Sequence, residues 1–184
     1  MKKILQLNVF KFMVLLFCLS GYTLSAQYTT GFEDATKTGY ASGSVTLSGI
    51  TWNMTEALIG TDAADWKVGA RSARMRGYGA SAISMTQNKS NGLGTLSFQY
   101  RRYGTDAQEA WKVEYSLNNG SNWTQVGSNF TAPDNNDVQT FSETVNVIGD
   151  VRIRIKRVIE TGSSNRRLNI DSIELTDFTG GTTP

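Results

Sequence analysis

Val151-Arg152-Ile153-Arg154-Ile155-Lys156 alternates aliphatic and cationic side chains without interruption. Successive side chains on an extended strand point to opposite faces, so this hexamer reads as a strand with one core face and one wet face. Leu96, Phe98 and Tyr100 repeat the pattern against Gln99, Arg101 and Tyr103. Working outward, similar runs cover Val45–Met54, Ser72–Arg76, Ala82–Thr86, Leu93–Tyr103, Trp111–Leu117, Thr124–Val126, Thr140–Val147, Val151–Ile159 and Arg167–Leu175. Clusters of Gly, Asn, Asp and Ser separate them, and no stretch carries a helical period. About nine short strands with turn signals between them predict an all-β fold, an antiparallel β-sandwich of jelly-roll type.

Asn119-Gly120 stands between two aromatic-bearing runs and predicts a tight hairpin turn. Residues 116–123 (SLNNGSNW) also resemble the Asp-box hairpin, with Asn118 where that motif usually has Asp. Ala132–Asp137 reads as a surface loop.

The 184 residues include no His and a single Cys. Without His, Ser-His-Asp and Cys-His catalysis and HExxH zinc chemistry are excluded. No GxSxG element, P-loop or Gly-rich dinucleotide turn is present. Asp62, Asp65, Asp106, Glu109 and Glu114 are available carboxylates, but their spacing defines no acid–base pair. The chain is therefore read as non-catalytic.

Residues 1–26 have the form of a signal peptide. Lys2, Lys3 and Lys11 precede and enter an apolar core, Phe12–Leu19, and Leu24-Ser25-Ala26 supplies a small-residue cleavage site before Gln27. The apolar run is short for a membrane span, so no span is expected. Cys18 would suit a lipid anchor, but Phe17 before it is too bulky for a typical lipobox. The segment holds three of the 18 basic residues and none of the 16 acidic ones, which leaves the remainder at net −1. That balance favours neither nucleic acid nor an anionic membrane as partner. The expected organisation is a signal peptide at 1–26, one β-domain over 27–178, and a linker or tail at 179–184. The product is expected at the cell surface or outside the cell, as a monomer.

Three motifs lie in order along the chain: Gly31-Phe32-Glu33-Asp34, the segment 67–76 (KVGARSARMR), and 168–175 (LNIDSIEL). Together they resemble the jelly-roll carbohydrate-binding modules of the galactose-binding-like superfamily. More closely, they are similar to jelly-roll domains of secreted Bacteroidetes proteins, which sit beside enzymes such as extracellular nucleases or beside sorting domains. The resemblance implies a structural calcium where the two chain ends meet, with Glu33 and Asp171 as side-chain ligands and carbonyls completing the shell. Calcium takes 6–8 oxygen ligands, so the donor types agree. Ser172 stands where the family usually has a second acid. The alternative is that Glu33 and Asp171 are ordinary edge carboxylates.

The resemblance also implies a polysaccharide or surface glycan as ligand, and such modules bind sugar rings on exposed aromatic side chains. Trp52 and Trp111 follow core parity, and Trp123 closes the hairpin. Trp66 lies in the polar loop 61–69 and is the leading ligand contact, with Tyr78, Arg101 and Tyr103 as further candidates. Arg101, Lys112, Arg152, Arg154 and Lys156 share outward parity and are expected either to form a basic patch or to be a solvated face balanced by Glu114 and Glu143. Two other readings remain open: a targeting domain of a larger secreted enzyme, for example a nuclease, or a structural surface protein with protein partners.

Overall fold

The computed structural model describes residues 27–180, so the signal-peptide reading of 1–26 and most of the tail at 179–184 lie outside the described residues. The described residues form twelve strands: β1 (Gln27–Thr30), β2 (Gly43–Leu47), β3 (Ile50–Thr55), β4 (Ala57–Gly60), β5 (Ser72–Tyr78), β6 (Ala82–Met85), β7 (Leu93–Arg102), β8 (Trp111–Ser116), β9 (Thr124–Phe130), β10 (Gln139–Val147), β11 (Arg152–Arg157) and β12 (Ser163–Thr176). They form two antiparallel sheets. The first runs β10-β7-β12-β5-β4 with β1 added on β12, and the second runs β2-β3-β6-β11-β8-β9. Among the described residues no helix is long and apolar enough to cross a membrane.

Alternation along β11 holds: Ile153 and Ile155 are fully buried, while Arg152 and Arg154 lie on the wet face. The facing sides of the two sheets enclose Trp52, Met54, Met75, Ile83, Phe98, Trp111, Ile153 and Ile170 in one apolar cluster. Phe98 stacks on Phe141 at 5.0 Å between ring centroids, and Phe130 meets both at 5.5 Å, which joins the sheets along one margin. Trp52 and Trp111 are core residues, as parity requires.

The run read as one strand over Val45–Met54 is a hairpin. Ser48 (φ 47°) and Gly49 (φ 84°) both take left-handed backbone, which is the primed turn whose twist suits two-residue hairpins. Strands β1 and β4 were not anticipated. β4 is buried at all four positions, so it shows no alternation to detect. In β12, Ser172 adopts φ 53° and the register against β7 shifts between Asp171 and Glu174. This bulge separates the upstream part of the strand, where Asn169 and Asp171 face away from the core, from the downstream part.

The predicted Asn-Gly hairpin joins β8 to β9, with Asn119 and Gly120 both at positive φ. Asn118 Oδ1 accepts hydrogen bonds from Ser116 Oγ (2.9 Å) and the Asn122 N–H (2.8 Å), doing the work of the Asp in the motif it resembles. A Cβ on Gly120 would lie 3.3 Å from the Trp123 ring, so the indole seals this turn.

Candidate functional site

Cross-strand pairing on the first sheet aligns Leu58, Arg74, Asn169 and Arg101 in one outward row across β4, β5, β12 and β7. An outward row is ordinarily wet, yet Asn169 and Asp171 are both fully buried. The cause is the β4–β5 loop, residues 61–71, which folds back over this face. Asn169 donates to Asp65 Oδ1 (2.8 Å) and Ser72 Oγ (3.1 Å), and accepts from the Trp66 N–H (3.2 Å). The Val68 N–H donates to Asp171 Oδ2 at 2.6 Å. Gly60 permits the fold-back, because a Cβ there would collide with the Asp65 carboxylate.

Beyond the loop the same face carries a series of stacked rings and guanidiniums. Arg76 lies 3.9 Å from the centroid of Tyr78 and 4.2 Å from that of Tyr40. Arg74 is 6.0 Å from Tyr40 and 4.9 Å from Tyr103, and Arg167 is 3.9 Å from Tyr103. The order of contacts is Tyr78, Arg76, Tyr40, Arg74, Tyr103, Arg167. Each such pair stabilises by about 0.5–1 kcal/mol at a partly exposed site.

Every guanidinium in the series is held by acid. Arg76 Nε donates to Glu56 at 2.6 Å, and Arg74 reaches Asp62 at 2.7 Å and Asp65 at 3.5 Å. Arg167 grips Asp106 through two bonds, Nε–Oδ2 at 2.6 Å and Nη2–Oδ1 at 3.1 Å. The hydrogen bond from Arg74 holds the Asp62 carboxyl below its usual range. Burial raises the Tyr40 phenol, so its ring stays neutral. Tyr40 itself is placed by Lys37, whose Nζ donates to the carbonyls of Gly39 (2.5 Å), Ala41 (2.6 Å) and Ala57 (2.7 Å) and thereby ties the β1–β2 loop to β4.

Of the residues singled out from sequence, Tyr78 and Tyr103 enter the series, Arg101 lies in the row beside it, and Trp66 is half-buried in the loop that covers Asn169. Tyr40, Arg74, Arg76 and Arg167 were missed. The parity of Arg74 and Arg76 against Ala73 and Met75 was a usable signal; Tyr40 offered none, since its cation partners come from a distant strand.

Of the two alternatives for the five outward cations, the single basic patch does not exist as one surface. Arg101 stands on the first sheet, whereas Lys112, Arg152, Arg154 and Lys156 belong to β8 and β11 of the second, whose outer face points the other way. Parity along a strand cannot report which sheet the strand joins. On that second face Glu114 binds Lys112 (2.7 Å) and Arg154 (2.5 Å), Lys156 binds Glu160, and Arg152 donates to Asn88 (2.7 Å). Burial pushes the Glu114 carboxyl up, but the two hydrogen bonds outweigh it and leave the group below its ordinary value. Glu109 is buried against Arg157 at 2.6 Å. All five carboxylates considered for acid–base chemistry are thus ion-paired.

At the junction of the chain ends, the Glu33 Oε1 accepts from the N–H groups of Ala70 (2.9 Å) and Arg71 (3.1 Å), and Asp171 Oδ1 accepts from Ser172 (2.6 Å). Among the described residues neither acid has a cationic side chain as ion-pair partner. Burial, with a smaller contribution from the Glu33 charge, pushes Asp171 up from 3.8 to about 6. A desolvated carboxyl with a second carboxylate close by and no countercharge is a donor set that fits a hard cation. Among the described residues no group of three or more acidic or sulfur side chains gathers, so carbonyls would have to complete the shell.

No family model and no curated protein matches the chain. Solved structures do. The chain is similar to the CBM22-1 xylan-binding domain of Paenibacillus barcinonensis Xyn10C, at 11% identity and a TM-score of 0.58 over 88% of this chain and 100% of that one. A cleaved adhesin domain of Lys-gingipain from Porphyromonas gingivalis aligns at 10% identity and a TM-score of 0.57, over 85% of this chain and 99% of the other. A variant of the family 29 carbohydrate-binding module CBM29-2, complexed with mannohexaose, aligns at 10% identity and a TM-score of 0.50, over 83% and 92%. The likeness is one of fold: the chain is an all-β sandwich with the jelly-roll architecture of carbohydrate-binding modules.

Proposed function

We propose that this protein is a secreted, monomeric, non-catalytic glycan-binding module, with the outer face of its first sheet as the binding surface. The observation that carries the reading is the series Tyr78, Arg76, Tyr40, Arg74, Tyr103, Arg167. Sugar rings present apolar C–H faces with hydroxyls around their edges. Tyrosine rings stack on the former, and the phenols, guanidiniums and carboxylates between them exchange hydrogen bonds with the latter. The Arg–carboxylate pairs hold each donor in a fixed direction before ligand arrives, which lowers the ordering cost of binding. The same pairs disfavour nucleic acid, because the guanidiniums already have anionic partners. Neighbours of the same fold that bind xylan or mannohexaose support a glycan ligand.

The reading includes a structural calcium at Glu33 and Asp171. The ion supplies positive charge to a buried carboxyl that lacks a counterion. The N–H groups of Val68, Ala70, Arg71 and Ser172 orient the two carboxylates that would hold it. Secretion rests on the form of residues 1–26.

Affinity electrophoresis against soluble polysaccharides tests the proposal. Retardation by at least one plant or microbial glycan is expected. Tyr78→Ala and Tyr103→Ala should each weaken it by about threefold to tenfold, the equivalent of about 0.5–1.5 kcal/mol per lost stack. Unchanged retardation in both variants would refute the assigned face.

A further inference from the structure

Three guanidiniums on the outer face of the first sheet absorb four carboxylates: Arg74 takes Asp62 and Asp65, Arg76 takes Glu56, and Arg167 takes Asp106. Arg101 is the exception. It stands in the same row, directly opposite Asn169, and two residues before Tyr103. Its Nε is buried with no hydrogen-bond partner, as is that of Arg74, but Arg74 has the Asp65 carboxylate at 3.5 Å and Asp62 at 2.7 Å, whereas among the described residues no ion pair is found for Arg101. Arginine cannot shed its charge at any working pH, so the cost of that position is not relieved by deprotonation. Its neighbours do not relieve it: Asn169 is committed to Asp65, Ser72 and Trp66, and Asp171 accepts from backbone N–H groups. The side chain is half-buried, so its outer edge remains open to a ligand.

We infer that Arg101 is an oxyanion subsite, and that the glycan taken by this face is an acidic polysaccharide carrying a carboxylate or sulfate group. The inference rests on the glycan-binding reading and narrows it. A planar fork of N–H donors matches the two oxygens of a carboxylate or sulfate. Tyr103, two residues further along and of the same outward parity, puts an aromatic ring beside the group for the sugar that bears the anion. The anion would supply acceptors that the fold leaves out. Hydrogen bonds to charged groups correspond to about tenfold to a hundredfold in affinity.

The test compares polygalacturonate, dextran sulfate and uncharged xylan as ligands for the full chain, in wild type, Arg101→Gln and the neighbouring control Arg102→Gln, at fixed salt. At least one acidic polymer is expected to bind tenfold or more tighter than xylan. Arg101→Gln should erase that preference, and Arg102→Gln should retain it. Preference for polygalacturonate assigns a carboxylate, and preference for dextran sulfate a sulfate ester. Equal binding of acidic and neutral polymers, or a preference that survives Arg101→Gln, overturns the inference and leaves the glycan-binding reading standing. Binding to none of the three overturns the inference, and the wider glycan-binding reading then falls only if the full panel of soluble polysaccharides also fails to retard the protein. Thermal unfolding of Arg101→Gln close to wild type shows that the variant is folded.

Discussion

Asp171 should make the metal-free protein less stable as pH rises, which is opposite to the behaviour of most paired carboxylates. Its folded-state value is pushed from 3.8 to about 6, chiefly by burial. Between those values the folded chain keeps a proton that the unfolded chain has released. Stability contributed by this group is therefore full below about pH 4, falls across the window, and is lost above about pH 6. A shift of about two units corresponds to about 3 kcal/mol at neutral pH. For a domain of this size that is about 6–12 °C in Tm. Asp62, Glu114 and Glu160 have lowered values and slope the other way, so the informative quantity is the difference between wild type and Asp171→Asn. Unfolding in EDTA, followed by intrinsic fluorescence from pH 4 to pH 8, should show wild type losing ground to the variant by about that amount. Calcium binds the ionised form, so adding it at neutral pH should restore stability to wild type alone. A site filled to a hundred times Kd contributes about 2.7 kcal/mol. Parallel pH curves for the two proteins in EDTA would refute the desolvation argument; a pH gap that calcium does not close would refute the metal assignment.

Other outcomes follow from the packing. Glu109→Ala strands the buried Arg157 guanidinium and should lower unfolding free energy by about 3–5 kcal/mol, read by urea titration. Gly60→Ala pushes a methyl into Asp65 and should lift the 61–71 loop, with a loss of about 1–3 kcal/mol and faster amide exchange at Trp66 and Val68. Phe98→Ala empties the aromatic cluster shared by the two sheets and should cost about 3–5 kcal/mol by the same titration, without altering the outer face.

Glu109 also shows how little of a buried polar site is visible from local pattern. In sequence it is one acid in a polar stretch before β8; in the fold its partner Arg157 is the last residue of β11, and its carboxylate faces Gly77 of β5. The Tyr–Arg series is similar. Tyr78 and Tyr103 could be chosen because they sit at strand ends beside turns, but nothing local brings Tyr40 to Arg76 or Arg167 to Tyr103. Trp66 was placed correctly in a loop, yet the loop is folded onto a sheet face, so its backbone serves Asn169 and its side chain is only half exposed.

Alternation by itself determined that this chain is an all-β sandwich, which residues of β7, β8 and β11 face the core, and where the Asn-Gly hairpin turns. Those properties depend on side-chain direction along a strand and on backbone angles at single residues, both local quantities. Absence of His likewise removed whole classes of catalysis before any fold was known. Tertiary structure alone decided that Arg101 and Lys112 lie on opposite sheets, that Asn169 and Asp171 are buried despite facing outward, and that, among the described residues, Arg74, Arg76 and Arg167 are ion-paired while Arg101 is not. Those are consequences of strand order and of a loop crossing a face, which join residues up to 104 positions apart. A two-residue period carries no information about such pairings, because it is the same whichever sheet the strand enters.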